Sequence, residues 1–341
     1  MAHIKVSLPV VSITLANSLA FDCLEGQTIL DSARAQGVVL EHSCRTGRCG
    51  VCKVRVMRGE TKIQTSEESL NETEPGEGFI LTCCRSAVSD IELDTTDLGR
   101  LAHLKVQTLP ARIDSLAKLA DDVLEVVFRT PPNSILQFLP GQYIDVIGPG
   151  GIRRSYSIAN APRDNGHITL HIRKVPSGEM SAYWFEQAKQ NDLLRFEGPM
   201  GTFCLHETPA THLILLATGT GIAPIKAILE ELQQDPDPYR FEQIKLYWGG
   251  RYLHDLYWEP TFTKMPLIFI PVLSRESSWE GRAGYIQDAA LNDAPPLENS
   301  VVYACGSKAM IQDARAALLG AGLPAGNFHS DAFVQSGGLS L

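Results

Sequence analysis

The sequence lacks the features by which a chain enters or crosses a membrane. No apolar run approaches the roughly 18 residues that a spanning helix needs, and the first residues form neither the basic nor the apolar part of a secretory signal. A surplus of basic charge is also missing: the formal net charge is -9, which argues against nonspecific binding to DNA or RNA. There is no internal repeat and no low-complexity tract. These absences predict an unanchored, cytoplasmic protein that binds no nucleic acid.

Cysteine is scarce, and the 8 cysteines show no disulfide framework. Three of them, Cys44, Cys49 and Cys52, have the spacing Cys-x4-Cys-x2-Cys, and Cys83 lies far downstream. Plant-type ferredoxins use this spacing to hold a 2Fe-2S cluster through four thiolates. The pattern therefore predicts a protein that transfers electrons one at a time.

The residues between the cysteines suit a cluster loop. Gly47 and Gly50 permit the backbone conformations in which amides turn toward an anionic group, and Arg45 and Arg48 add positive charge. A structural zinc site, or thiols packed without a metal, is the alternative interpretation. Structural zinc sites usually show two close ligand pairs, so a single remote fourth cysteine fits that pattern poorly.

The fourth ligand is ambiguous because Cys83 and Cys84 are adjacent. In ferredoxin-type reductase domains the last ligand commonly lies in a Leu-x-Cys unit, seven residues before an Asp that opens the closing strand. Leu81-Thr82-Cys83, followed by Asp90, resembles that pattern. The resemblance implies that Cys83 is the fourth ligand, with Cys84 as the reserve candidate.

The pattern of apolar runs divides the 341 residues into three units, the first two joined by a polar linker at 94–103. Residues 1–98 combine short strands with one helix, which predicts a small mixed sheet of the β-grasp type. Residues 105–206 show regularly spaced strands broken by Pro and Gly, which predicts an antiparallel β-barrel. In residues 210–341 buried strands alternate with helices, which predicts a doubly wound parallel α/β domain. The predicted fold class is therefore multidomain, α+β and α/β.

Capping residues support the first predicted helix, because Thr28 is suited to its N-cap and Gly37 to its end. The other predicted helices span 180–190, 223–233 and 308–321. The predicted strands span 6–15, 51–57, 90–93, 111–116, 123–129, 142–147, 154–158, 167–175, 193–197, 211–217, 244–248, 267–273 and 300–305.

Arg154-Ser155-Tyr156-Ser157, on a predicted barrel strand, offers groups that suit a flavin. Arginine can grip a phosphate with two hydrogen bonds, a tyrosine ring can stack on the flavin ring, and a serine hydroxyl can donate to it. Arg-x-Tyr-Ser is the flavin signature of the ferredoxin-NADP reductase superfamily, which this chain resembles. The resemblance implies that these four residues bind the flavin and that Ser157 takes part in catalysis. An ordinary amphipathic strand is the alternative.

The resemblance extends to the next strand and helix. It implies that His171 and Arg173 bind the flavin, and that Gly178, Met180 and Ser181 hold its pyrophosphate at a helix N-terminus, where free amides and the helix dipole favour an anion. A pyrophosphate implies FAD and not FMN. A strand histidine with no ligand is the alternative for His171.

A second motif follows a buried strand and precedes a helix: Thr218-Gly219-Thr220-Gly221, then Pro224 after Ile222 and Ala223. Glycines let the backbone approach a dinucleotide phosphate, and proline suits the first turn of a helix. The motif departs from the Rossmann Gly-x-Gly-x-x-Gly because Pro224 takes the third glycine's position. The superfamily uses this Gly-Thr-Gly-x-Ala-Pro form for nicotinamide nucleotides.

Four further positions match the superfamily: Arg251, Cys305, Gly306 and Phe333. The resemblance implies that Cys305-Gly306 lies beside the reacting nicotinamide and flavin atoms, and that Phe333 covers the flavin until nicotinamide displaces it. A packed thiol at a strand end is the alternative for Cys305. Cys305 and Phe333 are therefore, with Ser157, the predicted catalytic residues.

Ser274 and Arg275 follow a predicted strand at the place where NADPH-dependent relatives keep a Ser and an Arg for the 2′-phosphate. Glu276 comes next and could oppose a phosphate. NADH is the predicted coenzyme, and NADPH is the alternative.

Together these features imply a reductase that carries electrons from NAD(P)H through FAD and a 2Fe-2S cluster to an electron-accepting protein, a dehydrase or an oxygenase component. The stretches 198–203, 247–251 and 330–334 look most like reductases of deoxysugar synthesis, of the CDP-6-deoxy-Δ3,4-glucoseen type. The alternatives are the reductase component of an aromatic-ring or alkane oxygenase, a free-flavin or ferric reductase, and a noncatalytic protein on a reductase scaffold.

Overall fold

The computed structural model describes residues 10–235, 239–293 and 296–333. Its chain forms two compact units, Met1–Leu104 and Lys105–Leu341. Within the described ranges, no helix is both long and apolar enough to span a membrane.

The first unit is a mixed five-stranded sheet with one helix and a small two-stranded sheet. The strand order is β2-β1-β7-β3-β5, with β1 and β7 parallel, and β4 pairs with β6. The elements are β1 (Val10–Leu15), β2 (Ala20–Leu24), α1 (Ile29–Ala35), β3 (Lys53–Arg58), β4 (Thr61–Ile63), β5 (Phe79–Leu81), β6 (Arg85–Ala87) and β7 (Ile91–Leu93).

The predicted helix of this unit is confirmed. The Thr28 side chain accepts a hydrogen bond from the Asp31 amide at 3.1 Å, and Gly37 follows the helix with a φ of 77°. The buried side of α1, with Ile29 and Leu30, packs into the core of the sheet. The first nine residues, where one predicted strand begins, lie outside the described residues. The short strands β2, β4, β5 and β6 were not predicted.

The second unit begins with an antiparallel six-stranded sheet in the order β11-β10-β13-β8-β9-β12. A bridge between Ile158 and Leu170 joins its two edges, so the sheet closes into the predicted barrel. The elements are β8 (Gln107–Ala120), β9 (Val123–Arg129), β10 (Tyr143–Ile147), β11 (Arg153–Ser157), β12 (His167–Arg173), α2 (Glu179–Ala182) and β13 (Leu193–Met200).

The helix predicted at 180–190 is shorter than expected. After the single turn of α2 the chain continues as a π-type turn over Tyr183–Gln187, and Ala188 is already extended. The wider turn allows two adjacent rings, Tyr183 and Trp184, to be buried together in the barrel core. Packing of these aromatic side chains therefore overrides the regular helical period.

The remainder of the second unit is a six-stranded parallel sheet in the order β17-β16-β15-β14-β18-β19, with helices. The chain moves outward from β14 to one side and then continues at β18 on its other side, so the carboxyl ends of β14 and β18 form a topological switch point. The elements are β14 (His212–Thr218), α3 (Ile222–Gln234), β15 (Gln243–Gly250), β16 (Leu267–Leu273), β17 (Arg282–Ala283), α4 (Ile286–Asp293), β18 (Ser300–Ser307), α5 (Lys308–Gly320) and β19 (Phe328–Phe333).

This part confirms the predicted doubly wound α/β fold. The buried residues of α3 recur at helical spacing, as in Ile225, Ile228, Leu229 and Leu232, and they pack on the buried strands of the sheet. The elements α4, β17 and β19 were not predicted. They are short, and their runs are weakly periodic.

Candidate redox-cofactor sites

The four predicted metal ligands meet as two pairs. Cys44 and Cys49 are joined by a thiol hydrogen bond, and the Cys52 and Cys83 sulfur atoms lie 3.3 Å apart. A structural zinc ion needs four ligands around one centre, whereas a 2Fe-2S cluster takes two ligands on each iron. The arrangement fits the two-iron cluster.

The loop around these cysteines needs glycine. Gly47 has a φ of 74°, and a Cβ there would lie 2.2 Å from the Ser66 carbonyl oxygen and 2.7 Å from the Cys84 sulfur. Because Gly47 has no side chain, its amide can donate to the Cys83 sulfur, as the Thr46 amide does to Cys44 at 3.4 Å. Amides directed at sulfur favour thiolates.

The acidity of the thiols agrees with this reading. Hydrogen bonds, first from the Cys49 thiol and then from Thr46, lower the pKa of Cys44 to about 5. The hydrogen bond with Cys44 and then burial raise the pKa of Cys49, and the hydrogen bond with Cys52 and then burial raise the pKa of Cys83. The lowered pKa favours the thiolate of Cys44, which is the form that binds iron.

Cys84 differs from Cys83. Its side chain is fully buried, its thiol donates to the Ser66 carbonyl at 3.4 Å, and burial raises the pKa of Cys84 to about 12. The Cys83 sulfur instead lies 3.3 Å from the Cys52 sulfur, within the second cysteine pair. This geometry favours Cys83 as the fourth ligand.

On β11, Arg154 and Tyr156 share one face of the strand because side chains alternate. The Trp184 indole N–H donates to the Tyr156 hydroxyl at 3.0 Å, and the two rings meet edge to face. Burial raises the pKa of Tyr156 to about 12, so the hydroxyl stays neutral. Ser157, at the end of the strand and buried, pairs in register with Tyr143.

Ser155 is not brought together with Arg154 and Tyr156. It lies on the other face of β11, and its hydroxyl donates to Asp145 at 2.6 Å. The strand period explains the difference, because adjacent side chains of an extended chain point to opposite faces.

The proposed pyrophosphate segment lies at the start of α2. Gly178 is the N-cap, Met180 is buried, and the Ser181 hydroxyl accepts a hydrogen bond from the Val175 amide at 2.8 Å. A Cβ on Gly148 would lie 2.3 Å from the Met180 sulfur, so the segment is packed closely against the turn after β10.

His171 and Arg173 point out of the barrel, since the intervening Ile172 belongs to its core. The His171 ring is buried, with Nδ1 3.3 Å from the Tyr257 hydroxyl and Nε2 3.8 Å from the Glu125 carboxylate. Burial lowers the pKa of His171, so the ring is neutral. The ring is thus packed between Tyr257 and Glu125, its Nε2 has no hydrogen-bond partner, and its role in flavin binding stays a prediction.

Arg173 carries an observation that points to a bound anion. Its Nε and Nη2 are buried without a hydrogen-bond partner, while Nη1 lies 3.4 Å from Asp122. The guanidinium carbon is 3.7 Å from the position that a Cβ on Gly219 would take. Buried donors without partners are rare, and these two would be satisfied by a phosphate oxygen. Arg173 therefore fits a dinucleotide phosphate.

The glycine motif lies at the switch point. Gly219 has a φ of 54°, and its carbonyl accepts from the Trp248 indole N–H at 3.0 Å. A Cβ on Gly221 would lie 2.2 Å from the Cys305 carbonyl oxygen, and one on Gly306 would lie 2.1 Å from the Thr218 hydroxyl. The ends of β14 and β18 thus approach too closely for any other residue. Thr220 lies within the turn, and Pro224 is buried in the first turn of α3.

The other predicted nicotinamide residues lie at the same edge of the sheet. Cys305 is fully buried and pairs in register with Asp331 on β19. Burial, and to a lesser extent the charge of the nearby Asp331, raises the pKa of the Cys305 thiol. Phe333, 38% exposed, pairs with Ser307 at the end of β18. Cys305 therefore lies in the core at the end of β18, which agrees with the alternative of a packed thiol at a strand end. Phe333 lies at the end of β19, beside the crevice at the carboxyl ends of β14 and β18.

The predicted coenzyme-selecting residues also meet. The Ser274 hydroxyl donates to the Gly250 carbonyl at 3.3 Å, and the Arg275 amide donates to the Arg251 carbonyl at 2.9 Å. The Glu276 carboxylate accepts from the Leu253 amide at 3.4 Å. A fixed carboxylate next to Arg275 would repel a 2′-phosphate.

Two tryptophans were missed by the sequence reasoning. Trp184 fixes the Tyr156 hydroxyl and Trp248 fixes the Gly219 carbonyl. Trp184 lies outside the predicted motifs, and Trp248, although within the matching stretch 247–251, was given no role. A signal was available in the sequence, because each tryptophan lies within or close to an element that carries a motif. A buried indole N–H needs a hydrogen-bond partner, so each of these rings could be expected to bond to a neighbouring polar group.

Comparison with known proteins gives three matching family models. The 2Fe-2S iron-sulfur cluster binding domain matches residues 13–88, the oxidoreductase FAD-binding domain matches 110–204, and the oxidoreductase NAD-binding domain matches 215–316.

Relatives match nearly the whole chain. A CDP-6-deoxy-L-threo-D-glycero-4-hexulose-3-dehydrase reductase of Yersinia pestis is 42% identical over 315 residues, covering 91% of this chain and 94% of that protein. Terephthalate 1,2-dioxygenase reductase component 1 of Comamonas sp. is 33% identical over 327 residues, covering 94% and 96%. The crystal structure of the Amycolatopsis cytochrome P450 reductase GcoB has a TM-score of 0.71 and 29% identity, covering 95% of this chain and 98% of that chain.

Proposed function

Since the chain belongs to the ferredoxin-NADP reductase superfamily, we propose that it supplies electrons to a dehydrase of deoxysugar synthesis. It is an NAD(P)H-dependent oxidoreductase, and its cofactors are a 2Fe-2S cluster and FAD. The acceptor would be the 3-dehydrase of a CDP-6-deoxy-4-hexulose, in the manner of the CDP-6-deoxy-Δ3,4-glucoseen type. The 42% identity over 91% of the chain supports this assignment, against 33% for the oxygenase reductase component.

One observation carries the redox mechanism. The buried, unpartnered donors of Arg173, on the flavin barrel, lie beside Gly219, in the dinucleotide turn of the parallel sheet. Barrel and sheet therefore contribute to one anion-binding region, which supports the meeting of flavin and nicotinamide nucleotides there.

When bound, the cofactors supply hydride transfer from nicotinamide to flavin and the release of single electrons to iron. The chain's own residues bind and orient them. Tyr156 offers a ring held by Trp184, Arg154 offers a guanidinium for phosphate, and Ser157 offers a hydroxyl at the end of β11.

The residues at the switch point orient the second nucleotide and exclude water. Gly219, Gly221 and Gly306 allow close approach of its phosphates, Cys305 keeps a neutral buried thiol beside the crevice, and Phe333 covers its edge. The cluster would be held by Cys44 and Cys49 on one iron and by Cys52 and Cys83 on the other.

NADH is the proposed coenzyme, because Glu276 follows Arg275 directly in the chain, and its carboxylate, which accepts from the Leu253 amide, would oppose a 2′-phosphate bound by Ser274 and Arg275. A cytoplasmic location is proposed from the eight free cysteines, four of them assigned to iron. The proposed domain boundaries are 1–98, 105–206 and 210–341.

The first test is anaerobic titration of the purified protein with NADH and, separately, NADPH, followed by visible absorbance. Bleaching that accounts for about three electrons per chain is expected, two for the flavin and one for the cluster. NADH should act at far lower concentration than NADPH. Flavin bleaching with no cluster change, or no response to either nucleotide, would contradict the relay.

The second test concerns the acceptor. The NADH-reduced protein is mixed with a 3-dehydrase of a CDP-6-deoxy-4-hexulose and its sugar substrate, with an aromatic-ring oxygenase component, or with free FMN. The proposal predicts the fastest reoxidation with the dehydrase. Faster turnover with the oxygenase would favour the reductase-component alternative, and faster turnover with FMN would favour a free-flavin reductase.

A further inference from the structure

One ion pair on α3 joins the parallel-sheet domain to the barrel. The Lys226 ammonium lies 2.5 Å from the Glu230 carboxylate, and the two side chains are only 13% and 17% exposed. Lys226 also donates to the Ala159 carbonyl at 2.9 Å, and Glu230 accepts from the Ala161 amide at 3.0 Å. Both side chains of the pair are therefore bonded to the backbone of one barrel segment.

The two ends of this connection lie next to the two cofactor motifs. The helix that carries the pair begins at Ile222, directly after the Gly219–Gly221 turn. The barrel segment begins at Ala159, two residues after Ser157 ends the flavin strand. A displacement of α3 relative to this segment would thus move the dinucleotide turn relative to the flavin motif.

The chemistry of the pair is suited to positioning. A largely buried ion pair adds little net stability over an apolar pair of the same size, but its charge-assisted hydrogen bonds are directional. Here each charge has a backbone partner on the barrel, and the Arg163 guanidinium, 3.3 Å from Glu230, adds a cation from the barrel side.

A second contact reaches the same turn from another side. The Tyr257 hydroxyl meets His171 on the barrel at 3.3 Å, and its ring lies edge to face against Trp248. Trp248 in turn donates to the Gly219 carbonyl at 3.0 Å. The dinucleotide turn is therefore tied to the barrel both through α3 and through Trp248.

We propose that Lys226 and Glu230 are positioning residues for hydride transfer, which hold α3 and the dinucleotide turn in register with the flavin strand. The inference rests on the proposed function of the site. It adds a role for two residues that touch neither cofactor motif directly.

The test compares Lys226→Met, Glu230→Gln and the double variant Lys226→Met/Glu230→Leu with the wild type, all as the FAD- and cluster-containing protein. Flavin reduction by NADH in anaerobic stopped flow should slow about ten- to a hundredfold in Lys226→Met and in the double variant. Glu230→Gln keeps an acceptor for Ala161 and should retain an intermediate rate. The Kd for NADH should change by less than about threefold, since no nucleotide contact is removed.

Hydrogen exchange gives a readout that does not depend on activity. The Ala161 amide should exchange faster in the double variant, which lacks its acceptor, and amides of the Gly219–Gly221 turn should follow. The double variant removes both charges of the pair, so neither is left buried without its partner. It should therefore unfold at a temperature closer to that of the wild type than Lys226→Met does. A slow but stable double variant separates positioning from folding.

The control is Lys118→Met, which breaks the exposed Lys118–Asp121 pair on the barrel and should change neither rate nor exchange. A double variant with wild-type reduction rate and wild-type Ala161 exchange would overturn the inference alone. A wild-type protein that neither NADH nor NADPH reduces would overturn the proposed function as well.

Discussion

The cysteine loop and the nucleotide crevice are built by different means. In the loop, three of the four proposed cluster ligands come from one stretch of nine residues, Cys44 to Cys52, and Gly47 and Gly50 set the backbone conformation locally. In the crevice, the contacting residues come from the ends of β14, β18 and β19, far apart in sequence. Cluster binding in the loop would therefore depend on a few side chains that bond to iron, whereas nucleotide binding in the crevice would depend on how closely the strand ends approach each other.

This difference predicts all-or-none effects in the loop. Cys83→Ser should lower iron and sulfide from about two atoms each per chain to a small fraction of that, because one iron loses a thiolate. Cys84→Ser is the matched control and should keep the cluster, since its thiol donates to Ser66. Iron and sulfide analysis measures both. Loss of the cluster in Cys84→Ser, with retention in Cys83→Ser, would reverse the ligand assignment.

In the crevice, a single methyl group should act through the backbone. Gly221→Ala places a Cβ within 2.2 Å of the Cys305 carbonyl, so the strand ends must separate. NADH affinity should fall about tenfold or more, and the free energy of unfolding by about 1–3 kcal/mol, while the cluster is retained. Gly320→Ala, which meets no atom within 4 Å, is the control. Unchanged NADH affinity in Gly221→Ala would contradict the close-approach account.

The anion site between barrel and sheet should show a smaller effect. Arg173→Gln removes the two unpartnered donors, so dinucleotide affinity should fall by about 1.5–3 kcal/mol. Stability without dinucleotide should hardly change, because those donors have no partner to lose. Isothermal titration and thermal unfolding test the two statements, with Arg129→Gln, at an exposed pair with Asp114, as the control. Equal losses in both variants would count against a specific phosphate contact.

The smallest effect concerns pH. His171 is buried beside Glu125 and Tyr257, with Lys226 and Glu230 nearby, and burial lowers its pKa below the ordinary 6.5. As the pH falls, His171 therefore binds its proton at a higher pH in the unfolded chain than in the folded chain. The stability that His171 contributes is present above pH 6.5 and is lost as the pH falls below that value. His171→Gln should lose less thermal stability than the wild type between pH 7 and pH 5.5. A parallel decline of both would exclude His171 as the source.

The same contrast explains what could be predicted from the sequence. The cysteine spacing, the helix cap at Thr28 and the β14-turn-α3 motif are local, and each was located without the structure. The Lys226–Glu230 ion pair and the unpartnered hydrogen-bond donors of Arg173 could not be predicted, because these features arise only where the barrel packs against the parallel-sheet domain. The mispredicted helix after Gly178 has the same origin, since burial of Tyr183 and Trp184 reshapes its turns.

The most direct measurement of the relay is low-temperature electron paramagnetic resonance of the anaerobic protein after reduction by NADH. The account predicts the signal of a reduced 2Fe-2S cluster in the wild type and its absence in Cys83→Ser, whose flavin still bleaches. A wild-type sample with full iron and bleached flavin but no cluster signal would contradict electron transfer from nicotinamide through flavin to the cluster.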